Sequence, residues 1–231
     1  MKFFKKLFFI FFIIIILIIS FLSFRGYKLY KSSLEEISLS DKVSKIRSDD
    51  EFITLDEVPK YYSDAVIAVE DHRFKEHGAI DLISICRAIV SNIRAKEFNE
   101  GGSTITQQVA KNLYFITEDD VVSRKIAEIF VAIDLENNYS KDEILELYIN
   151  TIYFGEGYYG IYEASKGYYE KEPIDLTLYE ATMLAGVPNA PSVYAPTINP
   201  LLAKSRQGKV IRSMVEYNYL SQEEADKILS E

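Results

Sequence analysis

The chain has 231 residues, with 26 Lys and Arg against 35 Asp and Glu for a formal net charge of −9. Six of the basic residues and no acidic one fall in the first 31, so the remainder carries −15, which excludes a general nucleic-acid-binding surface and requires any anionic ligand to be held by a local cationic pocket. The length fits an anchor plus one globular domain without room for a second enzyme domain, the lone Cys86 cannot form an internal disulfide, and two histidines away from any Cys or Asp cluster make a poor zinc site.

Leu7 to Phe24 is an unbroken run of apolar residues and serines, long enough to cross a bilayer core. It reads as a membrane anchor; the competing reading, a cleaved signal peptide, lacks an Ala-x-Ala-like site before Arg25. Lys2, Lys5 and Lys6 precede the run and Arg25, Lys28 and Lys31 follow it, so charge alone leaves the orientation open. Residues 1–26 are therefore assigned to the N-terminus and anchor, 27–54 to a polar juxtamembrane stalk able to fold against the body, and 55–231 to the globular domain.

Within that domain, Ser63 to Val69, with Ala65, Val66, Ala68 and Val69, predicts a buried helix that delivers Glu70 to an edge. Asp81 to Phe98 carries Leu82, Ile83, Ile85, Cys86, Ile89, Val90 and Ile93. For this broad apolar surface core burial is the default and contact with lipid the alternative, and Cys86 is expected as a small buried thiol. The polar segment Arg94 to Gly102 predicts a mobile loop able to close over a substrate chain.

The string Gly101-Gly102-Ser103-Thr104-Ile105-Thr106-Gln107-Gln108-Val109-Ala110-Lys111-Asn112 follows. Ser103 or Thr104 caps a helix whose buried edge is Ile105, Val109 and Leu113. Thr104, Gln108 and Lys111 then share another face with Asn112 beside them. The free N–H groups of the helix start, with the lysine two turns on, suit phosphate or pyrophosphate; a capped surface helix is the plainer alternative. Further on, Ile126, Ile129, Phe130 and Ile133 predict a buried stripe that leaves Arg124 and Glu128 together off it. Ser140-x-x-Glu143, Thr177-x-x-Glu180 and Ser221-x-x-Glu224 have the form of capping boxes, Pro200 suits a helix's first turn, and the glycines at 155, 157 and 160 among Tyr153, Phe154, Tyr158 and Tyr159 mark a loop. No run shows the alternation of a sheet, so the body is read as mainly α.

Five strings, in order, resemble one family. Glu70-Asp71-His72-Arg73-Phe74-Lys75-Glu76-His77-Gly78 is similar to E-D-x-x-F-x-x-H-x-G with one residue fewer before the glycine, and Gly101 to Gln108 is similar to G-G-S-T-I-T-Q-Q at every position. Arg124-Lys125-Ile126-Ala127-Glu128 fits R-K-x-x-E, Lys141 to Asn150 fits K-x-x-I-L-E-x-Y-L-N with one isoleucine for leucine, and Leu184 to Pro191 fits L-A-G-x-P-x-A-P. On these residues the chain resembles the peptidoglycan glycosyltransferase family (glycosyltransferase family 51), which occurs in bifunctional penicillin-binding proteins and alone in monofunctional biosynthetic transglycosylases; the length favours the monofunctional form.

The resemblance implies a lysozyme-like, two-lobed helical domain after one transmembrane helix, placed on the outer face of the bacterial cytoplasmic membrane. It implies polymerisation of lipid II into glycan strands by inverting transfer, with release of undecaprenyl pyrophosphate. Glu70 then matches the general base and Glu128 the second, donor-side carboxylate. Lys111, Arg124 and Lys125 become candidates for diphosphate contacts, and Ser103, Thr104, Gln107, Gln108 and Asn112 for orienting sugars or phosphates. Asp71 joins the substrate-binding set while shaping its motif with Phe74; His72 and His77 are expected as structural hydrogen-bonders, and Glu146 and Tyr148 as mainly structural. Mg²⁺ or Mn²⁺ at the substrate pyrophosphate is an expectation of the family, with no organic cofactor and no metal held by protein ligands alone. The implied partners are lipid II, the growing glycan chain and membrane lipid, with association with transpeptidases or division and elongation proteins a further expectation. Two rivals remain: a glycan-cleaving enzyme on the same fold, and an inactive membrane-anchored wall-binding scaffold.

Overall fold

In a computed structural model, which describes residues 2–95 and 102–230, the body is built from helices, and the described residues contain no strand beyond one bridge between Tyr153 and Tyr159. The helices are α1 (Lys2–Glu36), α2 (Leu39–Arg47), α3 (Lys60–Glu70), α4 (Leu82–Ala95), α5 (Ile105–Tyr114), α6 (Val121–Asn138), α7 (Lys141–Thr151), α8 (Gly160–Tyr169), α9 (Leu178–Gly186), α10 (Pro191–Tyr194), α11 (Pro200–Glu216) and α12 (Gln222–Leu229). The mainly α body behind one long apolar helix is as the sequence predicts. The three expected capping boxes form at α7, α9 and α12, each a Ser or Thr hydroxyl accepting from the Glu backbone N–H three residues on.

The single continuous α1 has 35 residues, and its first two-thirds project from the body with Phe, Ile and Leu side chains exposed all round. It is the one helix among the described residues long and apolar enough to cross a membrane. Beyond it, Leu39 and Val43 of α2 are buried in the main core, and Asn150 of α7 both accepts from the Ile53 N–H (2.8 Å) and donates to its carbonyl (2.7 Å). The stalk segment therefore folds against the body. Glu146, which accepts from the Leu55 N–H, and the fully buried Tyr148 have the structural placement expected of them.

Two helix groups make the core. α3 packs against α9 and α11, while α5 lies between α6 and α7. The small residues Ala127, Val131 and Ala132 with Leu135 form the buried face of α6, which lets α5 approach closely. The stripe expected there was different: Ile133 is 40% exposed, and Ile126 and Phe130 are only half-buried, lying against α1 at the margin of the core, where Phe130 meets Tyr27 and Tyr30.

A second correction concerns α4. Leu82, Ile83, Val90 and Ile93 are exposed, as is Cys86, so this helix turns its apolar side outward and the expected buried thiol is at the surface. The expected mobile loop, 94–102, falls largely on residues 96–101, outside the described residues.

Candidate active site

The helix α3 ends where Asp71 leaves helical geometry (φ −160°, ψ 72°), making Glu70 its last residue. Asp71 is buried, and its carboxylate is held by His77 Nε2 (2.8 Å) and by the backbone N–H of Ile105 (3.1 Å), which fastens the start of α5 to the end of α3. One turn into α5, Gln108 consequently reaches back and donates from Nε2 to Glu70 Oε2 at 2.8 Å. Arg206 Nη2 of α11 stands 3.6 Å from the other Glu70 oxygen. Burial, with 11% of the side chain exposed, raises the Glu70 pKa above the ordinary carboxylate range; Gln108 and Arg206 pull it back and the Asp71 charge raises it further.

Facing this carboxylate is the first half of α6. Lys125 Nζ donates both to Glu128 Oε2 (2.8 Å) and to Ser103 Oγ (2.7 Å), tying α6 to the start of α5. Arg124 Nε lies 3.4 Å from Glu128 Oε1, and its Nη1 donates to the Glu118 carbonyl at 3.0 Å. Glu128 is 2% exposed, so two cations are held in place by a carboxylate with little access to water.

Between these walls lies a cavity of about 970 Å³, lined among others by Glu70, Asp71, Ser103, Gln107, Gln108, Lys111, Arg124, Lys125 and Glu128. Two members of the expected set are not in that lining. Thr104 is 2% exposed; its hydroxyl accepts from the Gln107 N–H as N-cap of α5 and donates to the Ala79 carbonyl at 3.1 Å, so it holds the fold together and not a ligand. Asn112 also stays out of the lining, with its Nδ2 buried and without a hydrogen-bond partner. Gln107 lines the cavity, but its Oε1 completes the capping box with the Thr104 N–H.

The sequence reading missed the opposite wall. Arg206, Lys209 and Arg212 project from α11 at three-residue spacing, joined by Ser213, Glu216 and Tyr217 and by Arg87 of α4. His72 stacks on Tyr217 (4.1 Å between centroids, 14° between planes), with Arg87 Nη1 3.1 Å from its Nε2; burial, then Arg87, holds its pKa below the ordinary value. The Arg-x-x-Lys-x-x-Arg spacing between buried Gln207, Val210, Ile211 and Met214 was the available signal. In total the lining carries seven Lys and Arg against four Asp and Glu, a cationic pocket in an otherwise acidic body.

Asp71, His77 and Asp81 also bring their potential ligand atoms within 4.8 Å of one another. Their oxygens and nitrogens are committed within the protein: Asp71 to His77 and Ile105, and Asp81 to Ser84, the Ile83 N–H and Arg73, 3.2 Å away. This is the knot that shapes the turn after Glu70, consistent with the structural role expected of His77.

A family profile described as Transglycosylase matches residues 39–215. Penicillin-binding protein 1F of Bacillus subtilis (strain 168) is 46% identical over 186 residues, covering 80% of this chain and 26% of the relative. Penicillin-binding protein 1A of Neisseria flavescens is 45% identical over 181 residues, covering 78% and 23%. The chain thus spans about a quarter of the length of these relatives. A crystal structure of penicillin-binding protein 1A from Haemophilus influenzae is 25% identical with a TM-score of 0.47, covering 78% of this chain and 17% of that one.

Proposed function

This chain belongs to the peptidoglycan transglycosylase family, and from that membership we propose that it polymerises lipid II into glycan strands by inverting transfer, releasing undecaprenyl pyrophosphate. The observation that carries the reading is the pairing, in one cavity, of a buried carboxylate of raised proton affinity with a surplus of cations, two of them braced by Glu128. Joining two lipid-linked sugars requires both: a base for the attacking hydroxyl and positive charge where the departing diphosphate develops its own. A hydrolase of neutral glycosidic bonds needs only the carboxylates.

In this reaction the acceptor's sugar hydroxyl gives its proton to Glu70 as its oxygen attacks the donor's anomeric carbon from the face opposite the diphosphate, and the bond to the diphosphate oxygen breaks. Gln108 keeps the Glu70 oxygens aimed by holding one of them. Arg124 and Lys125, both braced by Glu128, and Lys111, which has no partner among the described residues, supply charge to the leaving group. Mg²⁺ or Mn²⁺ at the pyrophosphate was expected from the family; with both Glu128 oxygens matched to Arg124 and Lys125, the donor set fits an ion poorly, and no step is routed through one. The outward apolar side of α4 suits contact with the membrane surface, with the N-terminus inside and the cavity on the outer face. Transpeptidases or division and elongation proteins remain proposed partners.

The test is polymerisation of purified lipid II by the detergent-solubilised protein, resolved on a gel beside Glu70→Gln. Wild type should give a ladder and the variant roughly 10²–10⁴-fold less product. Shortened fragments from preformed glycan, without polymer, would identify a cleaving enzyme; lipid II binding without turnover would identify a scaffold.

A further inference from the structure

We propose that Gly26 is a positioning residue, which by letting α1 lie directly against the back of α6 makes the membrane anchor and the diphosphate-binding cations one rigid unit. The proposal rests on the glycosyl-transfer reading above.

The anchor runs without a break from Lys2 to Glu36, so no hinge separates the membrane-spanning turns from those on the body. From Leu22, inside the last turn of the apolar run, burial recurs along it through Gly26, Leu29, Tyr30, Ser33 and Leu34, one stripe at helical spacing. A Cβ at position 26 would stand 2.5 Å from both Cβ and Cγ2 of Ile126 and 3.0 Å from the Ser123 carbonyl oxygen, distances that only the absence of a side chain permits. Around this closest approach the contact is specific. Arg25 pairs with Asp120 at 2.6 Å, Tyr27 meets Phe130 edge-on (5.3 Å, 73°), and Tyr30 Oη donates to Asp134 at 2.6 Å. On α6, Ile126, Phe130 and Asp134 follow one another at i, i+4 and i+8, one stripe given over to the anchor.

Arg124 and Glu128 lie two residues to either side of Ile126. At 100° per residue both point to the opposite side of the same helical turns, into the cavity. One helix thickness, about 10 Å, thus separates the Gly26 contact from the cations and their carboxylate. A lipid-linked substrate presents its diphosphate at a depth set by the bilayer. A catalytic site propped by a rigid anchor meets it at one height, whereas a site on a loose tether samples many. A misplacement of about 1 Å is enough to cost on the order of 10²-fold in rate.

The experiment compares full-length wild type, Gly26→Ala, and Gly26→Ala with Ile126→Gly, which removes both Ile126 atoms that the added carbon would meet, on lipid II in bilayer vesicles and in detergent micelles. Gly26→Ala is expected to lose at least about tenfold in vesicles, where depth is imposed, and less than about threefold in micelles, which deform around the protein. Ile126→Gly should restore the vesicle rate to within about threefold of wild type, because the two helices close again. Equal losses in both media with a lowered melting temperature, or no rescue by Ile126→Gly, would overturn the proposal and leave the transfer reading intact. A wild type inactive in both media would overturn the transfer reading and this proposal with it.

Discussion

As the proposed base, Glu70 would act only while ionised, and its surroundings pull both ways on that state. Burial is the largest influence and raises its pKa, the Gln108 hydrogen bond and the Arg206 charge lower it, and Asp71 raises it again. Activity therefore falls as pH drops through a pKa that lies above the ordinary carboxylate range. Removing a group that favours the charged form moves that acid limb upward. Gln108→Leu, which takes away the 2.8 Å donor without adding charge, should shift the acid limb of the kcat profile to higher pH and cost more rate at the acid end of the profile than at the alkaline end. A limb that stays in place while kcat falls equally at every pH would mean that Gln108 orients substrate and not the base.

At the scale of the helix, Thr104 shows how a role can be misread from spacing. Thr104, Gln108 and Lys111 look like one face because they sit at i, i+4 and i+7, but Thr104 is the N-cap, with extended backbone (φ −78°, ψ 161°), and falls outside the helical phase. Its hydroxyl is spent on the Gln107 N–H and the Ala79 carbonyl. Thr104→Ala should accordingly cost roughly 1–2 kcal/mol of stability, read as a fall of several degrees in melting temperature, with KM changed less than about twofold. A tenfold rise in KM at unchanged melting temperature would return Thr104 to the substrate. Other elements were legible to the same depth and no further. The α3 run and its delivery of Glu70, the buried edge of α5 and the three capping boxes depend on local pattern, which the sequence carries in full. The stripe on α6 was misassigned because an apolar residue facing a neighbouring helix, as Ile126 and Phe130 face α1, has the same signature as one in the core. Arg206, Lys209 and Arg212 stayed hidden for the converse reason, since charges three apart on a helix look like a solvated face until the fold shows what they look onto.

For the molecule as a whole, the electrostatics are a contest between range and proximity. The chain beyond residue 31 carries −15, which repels an anionic lipid headgroup at a distance, while the cavity's excess of three positive charges attracts it close up. Salt screens the first effect much more than the second, because the Debye length at physiological ionic strength, about 8 Å, is short beside the body and comparable to the cavity. Lys209 and Arg212 are the informative pair. Both are exposed at the cavity wall, and neither has an ion-pair partner among the described residues, so they contribute to the pocket's charge without bracing the fold. Lys209→Gln with Arg212→Gln should raise KM for the proposed substrate, lipid II, by roughly tenfold or more, as expected for losing charge-assisted contacts, with the melting temperature unchanged. Adding salt should weaken the wild type little, since the repulsion it relieves offsets the attraction it screens. In the double variant the attraction has already been reduced, so salt should improve its KM. If salt instead raised KM in both proteins to the same degree, the pocket would be acting through the long-range field, and the seven cations would be steering the substrate without gripping it.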